Sequence, residues 1–277
     1  MQEALKDSQI EKQRDIDLLR KRFTPEVRKE LHSIDYRLAE YFDDLTTNVS
    51  VVFADENDRH NRYELLCAAK FLRLFRTYNY NKKFVRFVIK LREGTWTRKG
   101  KMWQYQSGGL KLPSTAGAKV YRWQPFQVFV LASMFLLRVW INTEAEAGTR
   151  ELLPTEQVRD GSIYDLRRLC TEFTFFTPRK TAKTQLSAFI QFWYFMSADE
   201  NAECYCCANA SDQAKILFSR SRDLIHQMDP REKRIRFTAS QVNWKPGQFR
   251  TASLTALSAG GKTKDGLFAQ LCSADAY

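Results

Sequence analysis

LCTEFTFFTPRKTAKTQLSAFIQFW, residues 169–193, changes character halfway along. Thr171 to Thr177 is a short apolar run rich in aromatic and β-branched residues, which predicts a strand. From Lys183 to Met196 the apolar run is long enough to predict a buried helix. Between them lies Thr177-Pro-Arg-Lys-Thr-Ala-Lys183-Thr184. A loop that cradles phosphate needs backbone amides aimed inward at a helix N-terminus, a lysine that reaches the terminal phosphates and a hydroxyl for magnesium. Lys183 and Thr184 supply the last two, in the required order and place. Both glycines of the general pattern are missing, with Thr177 and Ala182 in their positions. The same eight residues also read as an ordinary strand-to-helix turn carrying basic side chains, so the loop alone leaves both readings open.

Working outward, Ala202–Ala208 predicts a second strand and Ser211–Gln227 a second helix, with Ser211 as its cap and Asp212 in its first turn. After Pro230 come a basic run, a strand or hairpin, the pair Gly260-Gly261 and an apolar run from Leu267. Strand, helix, strand, helix, strand is the rhythm of a parallel α/β sheet. Upstream, Pro125 to Ile141 predicts a buried helix, 142–162 a polar loop, and a short amphipathic piece ends near Leu169. Residues 5–45 carry apolar positions at helical spacing, and Thr24-Pro25 marks the start of a second helix there. Residues 63–92 predict a further helix with basic polar positions: Lys70, Arg73, Arg76, Lys82, Lys83, Arg86, Lys90 and Arg92. The glycines at 94, 100, 108, 109 and 117, with Pro113, mark a boundary. The expected organisation is a helical N-terminal region, 1–115, followed by a phosphate-loop core, 116–277.

Four motifs in order carry a family resemblance. They are Tyr121-Arg-Trp-Gln-Pro-Phe-Gln127 before an apolar helix, the loop at 177–184, Cys206-Cys-Ala-Asn-Ala-Ser-Asp-Gln-Ala-Lys215, and Gly266-Leu-Phe-Ala-Gln-Leu-Cys-Ser-Ala-Asp275. Together they resemble the ATPase part of tailed-phage large terminase subunits, over residues 121–277. The resemblance implies a P-loop NTPase parallel sheet flanked by helices, with ATP and Mg2+ as ligands. It implies that Trp123 and Gln124 hold adenine and that Pro178, Arg179, Lys180, Thr181, Ala182, Lys183 and Thr184 surround the phosphates. Arg179, Lys183 and Asp275 are then the catalytic residues, and Thr184 and Asp275 organise the metal. The family closes its last strand with aspartate and then glutamate, the glutamate polarising the attacking water. Here position 276 is Ala276, so hydrolysis is expected to be impaired. The stop at Tyr277 suggests a truncated piece. The implied partners are double-stranded DNA, the small terminase subunit, the procapsid portal protein and further copies in a ring, in the host cell cytoplasm. Each motif also has a plain structural reading; for Trp123 it is an aromatic helix start packed in a core.

Composition fits a polyanionic partner. Lys and Arg number 44 against 32 Asp and Glu, a net charge of +12. That balance also suits two rivals, a helicase-type ATPase fragment and a non-enzymatic basic nucleic-acid-binding protein. The charged N-terminus is no signal peptide, and Pro125–Ile141 falls short of the roughly 20 residues a membrane span requires. Cys204, Cys206 and Cys207 crowd one strand without a second ligand pair, so buried reduced thiols are expected there, not zinc.

Overall fold

The computed structural model describes residues 2–51, 60–80, 94–99, 102–107, 111–112, 119–120, 123–144, 152–153, 163–175, 182–197, 201–208, 210–248, 251–258 and 271–274. Their helices are α1 (Gln2–Arg22), α2 (Pro25–Ile34), α3 (Tyr36–Thr47), α4 (Arg62–Thr77), α5 (Pro125–Phe135), α6 (Lys183–Ser197) and α7 (Ser211–Met228). The strands are β1 (Asn79–Tyr80), β2 (Gly94–Lys99), β3 (Met102–Ser107), β4 (Lys111–Leu112), β5 (Lys119–Val120), β6 (Leu137–Asn142), β7 (Leu152–Leu153), β8 (Tyr164–Arg168), β9 (Glu203–Ala208), β10 (Ile235–Phe237), β11 (Gln241–Trp244), β12 (Ser253–Ser258) and β13 (Leu271–Ala274). The chain is a mixed α/β protein of two compact units, residues 1–89 with 123–174, and 90–122 with 175–277. No helix among the described residues is long and apolar enough to cross a membrane.

In the first unit, the helix starts follow from local chemistry. Thr24 is extended and its hydroxyl accepts from the Val27 amide, and Pro25 takes the first helical position. Asp35 starts α3 the same way, accepting from the Arg37 amide at 3.0 Å. The core is aromatic. Phe42 is fully buried among Phe23, Phe71 and Phe129 at ring separations of 5.5, 5.9 and 5.6 Å. Three apolar helical faces converge on these rings, the main stabilising contribution to this unit. Arg28 grips Asp43 with two nitrogens, at 2.8 and 2.7 Å, tying α2 to α3.

Two expected helices are shorter than the sequence suggests. α4 ends at Thr77, because Tyr78 is extended and Asn79–Tyr80 pair with β6. Tyr80 stacks on Phe75 at 4.8 Å and bonds Glu30, contacts that reward leaving the helix. Lys82, Lys83, Arg86, Lys90 and Arg92 lie outside the described residues. Likewise α5 stops at Phe135, and Leu137–Asn142 form a strand in which Leu137 and Val139 are buried while Arg138 and Trp140 are half-buried. That alternation, with Val, Trp and Ile in sequence, has strand character. The amphipathic piece before Leu169 is strand β8, antiparallel to β6, and β7 pairs β6 from within the expected loop.

In the second unit, β9 is the centre of a five-stranded sheet in the order β10-β11-β12-β9-β13. β12 and β13 run parallel to β9, whereas β10 and β11 are antiparallel additions, so the sheet is mixed and not wholly parallel. The hairpin β10–β11 explains the difference: a tight turn at Thr238–Ser240 can only return the chain antiparallel. Cys204, Tyr205 and Cys206 are successively buried, as a strand covered on both faces requires. α6 and α7 pack on each other and on β9.

Candidate functional site

α6 begins where the motif requires. Lys183 is its first residue, and its own hydrogen-bond ladder starts with the Leu186 amide donating to the Ala182 carbonyl at 3.0 Å. Ala182 has φ of 62°, the left-handed region. A left-handed residue followed by right-handed ones turns successive amides toward a common concavity, the arrangement that collects an anion at a helix start. Alanine resists that conformation, by roughly 1–2 kcal/mol. Glycine would not, and glycine is what the general phosphate-loop pattern places there. Ala182, Lys183 and Thr184 are each half-buried.

The rest of α6 anchors this start. Leu186, Ala188, Phe189, Phe192 and Phe195 are buried. The buried Gln191 amide donates to the Tyr205 carbonyl of β9 at 2.8 Å, and the Trp244 indole donates to the Phe195 carbonyl at 3.3 Å. Gln191 Oε1 and Gln185 Oε1 are buried without a hydrogen-bond partner among the described residues. The helix is thus fixed to the sheet through main-chain groups, which holds its N-terminal turn in place.

β13 ends at Ala274, opposite Cys207 of β9, so the chain position after it is Asp275. Asp275, Ala276, Pro178, Arg179, Lys180 and Thr181 lie outside the described residues. The expected strand at Thr171–Thr177 is not formed over 171–175. This stretch joins no ladder among the described residues, and Phe173 is exposed. α7 begins at Ser211 with Ala210 in the capping position and no side-chain cap, so Ser211 is inside the helix and is not its cap. Asp212 is in the first turn as expected, exposed and 3.6 Å from Lys215.

Trp123 and Gln124 belong to the first unit. The Trp123 indole is only 2% exposed, and its carbonyl accepts from Arg37 at 3.4 Å. Gln124 is exposed, caps α5, and donates its amide to the Gln127 side chain at 3.1 Å.

Two further features of the second unit escaped sequence reasoning. Asp229 accepts from the Lys233, Arg234 and Ile235 amides at 3.0, 2.7 and 2.9 Å. Burial opposes its ionisation, but the three amides outweigh it and hold the carboxyl below its usual range. The turn so fixed presents Arg231, Lys233, Arg234 and Arg236, all exposed. An aspartate just before a proline was the available signal. An open depression of about 390 Å³ also runs along α7, lined by Asp212, Lys215, Ile216, Ser219, Arg220 and Asp223. It includes neither Lys183 nor Thr184, and its mixed charge selects no ligand.

No protein-family model matches this chain, and no curated protein matches it. Among solved structures it is similar to the crystal structure of the HK97 bacteriophage large terminase, at 18% identity and a TM-score of 0.44. The match covers 69% of this chain and 30% of that one, so the chain spans under a third of that protein's length.

Proposed function

We propose that the chain is the nucleotide-binding part of a viral DNA-packaging ATPase, a large terminase subunit. One observation carries this reading: the left-handed Ala182 directly before Lys183-Thr184 at the start of a helix pinned to β9. The residues present fit a phosphate chain, because a left-handed Ala182 at the positive end of the α6 dipole, beside an ammonium and a hydroxyl, would gather the loop's amides on an anion. Lys183 would reach the terminal phosphates, Thr184 and Asp275 would hold magnesium, and Arg179 would meet the charge that develops on the transferred group. The amides from Arg179 through Ala182, with Lys180 and Thr181, would wrap the phosphates; Pro178, lacking an amide hydrogen, would fix the loop's entry. Magnesium, when bound, neutralises charge on the phosphate oxygens. The adenine contact is an expectation for Gln124, whose side chain is exposed, with the buried Trp123 setting its position. Under this reading ATP is the substrate, double-stranded DNA the cargo, and the small terminase subunit, the portal protein and sister copies in a ring the partners, in the host cell cytoplasm.

Isothermal calorimetry with magnesium-ATP tests the reading. The parent chain should bind, and Lys183→Ala should abolish binding while leaving the circular dichroism spectrum unchanged. Equal affinity in the two proteins would remove Lys183 from the site. DNA binding without any nucleotide binding would favour the non-enzymatic alternative.

A further inference from the structure

Cys207 on β9 and Cys272 on β13 are far apart in sequence and adjacent in the sheet. Cys272 pairs with Tyr205, so Cys207 is two residues farther along the same face of the neighbouring strand. Their sulfurs are 3.2 Å apart. Cys272 is exposed and Cys207 half-buried, and neither is in a disulfide. Cys204 and Cys206, on the same strand, are fully buried, so among the cysteines of β9 and β13 solvent-borne reagents meet Cys272 first. The Cys207 thiol donating to the Cys272 sulfur favours the Cys272 thiolate and outweighs the opposing effect of burial.

We propose that Cys272 and Cys207 are an oxidant-responsive dithiol, with Cys272 the attacking sulfur, Cys207 the resolving one, and a low-molecular-weight disulfide the oxidant. The Cys272 thiolate attacks one sulfur of that disulfide. The reagent's S–S bond breaks, one small thiolate leaves, and a mixed disulfide forms on Cys272. Cys207 then gives its proton to solvent and attacks the Cys272 sulfur. The mixed S–S bond breaks and the second small thiol leaves. Two protein thiols are oxidised to one disulfide and one small disulfide is reduced to two thiols. The offset of two residues between neighbouring parallel strands resists this bond, because a disulfide usually spans only about 4.4–6.8 Å at Cα. Closing it draws β13 toward β9, and the bond is readily reversed by a reductant. The inference rests on β9 and β13 alone and stands whatever the chain binds.

The test is intact-mass spectrometry and peptide mapping of the full chain exposed to oxidised glutathione under native conditions. The expected result is loss of two hydrogens, mapped to a Cys207–Cys272 bond and restored by dithiothreitol. Cys207→Ser should instead accumulate one glutathione on Cys272, and Cys272→Ser should leave Cys207 unmodified over the same time. A parent chain that keeps glutathione on Cys272 without closing the bond overturns the proposal. So does one in which Cys67 or Cys170 is modified ahead of Cys272. Both readings come from the parent chain, so a variant that fails to fold does not blunt the test.

Discussion

Replacing Ala182 by glycine should strengthen the protein at the point where a glycine in a helix interior would weaken it. The left-handed backbone at φ 62° costs an alanine roughly 1–2 kcal/mol that glycine escapes. Against this, glycine adds freedom to the unfolded chain, worth about 0.4–1 kcal/mol. The midpoints of the two ranges leave a net gain of about 0.8 kcal/mol for Ala182→Gly. The Leu186 amide, which donates to the Ala182 carbonyl, reports the local effect, and its hydrogen exchange should slow in the glycine variant. If phosphate binding needs this backbone, the same relief raises the population of the competent loop, and affinity for magnesium-ATP should improve by about two- to fivefold. Ala182→Val should do the reverse, because a β-branched residue tolerates positive φ poorly. Urea unfolding, exchange at Leu186 and calorimetry measure the three effects. A glycine variant that loses about 0.5–1 kcal/mol, the ordinary penalty of glycine against alanine in a helix, refutes the reasoning.

Further outcomes follow from the same structure. His60 faces Glu64 at 3.1 Å and Asp44 at 3.0 Å through its two ring nitrogens, and these carboxylates together outweigh burial and raise its pKa. Its contribution is therefore full below the ordinary histidine value of about 6.5 and lost as pH rises through the folded value, so the parent's urea midpoint relative to His60→Gln should fall as pH is raised above about 6.5; a flat difference sinks this assignment. Asp229→Ala makes the chain more positive yet frees the amides of Lys233, Arg234 and Ile235, so double-stranded DNA should bind less tightly in fluorescence anisotropy; tighter binding would mean that net charge, not the turn, decides. Arg234→Ala with Arg236→Ala should reduce the salt slope of that binding by about two. Phosphate release under saturating ATP should be slower than about one per second, because Ala276 offers no carboxylate to orient water, a loss of about 100- to 10,000-fold. Faster turnover would place the catalytic carboxylate elsewhere.

What the sequence made legible is what short-range chemistry decides. Thr24-Pro25 starts α2 by a hydroxyl and a fixed φ, and both act within one turn. α6, α7 and β9 were readable because their apolar runs have the right length and their ends are marked by polar residues. Residues 125–141 failed for a physical reason: an unbroken apolar run has no period, so α5 and β6 look alike until Val139, Trp140 and Ile141 are weighed for strand preference. β8 was legible only as a short amphipathic piece, because its charged residues acquire a strand's geometry only by pairing with β6. The mixed sheet was hidden in the same way. The hairpin at 235–244 is local, but its union with parallel strands is a tertiary event.

The site divides along the same line. That Lys183 and Thr184 open a helix was legible from the long apolar run that follows them, whereas the strand expected before them is not formed over 171–175. The conformation of Ala182 was not legible, because the residue type argues against the φ it adopts. A non-glycine held left-handed persists only where the surroundings over-determine it, and α6, locked to β9 through Gln191 and to β11 through Trp244, supplies that constraint. The missing glycine therefore weakens the motif as a pattern, while Ala182 itself adopts the left-handed backbone that a glycine takes readily.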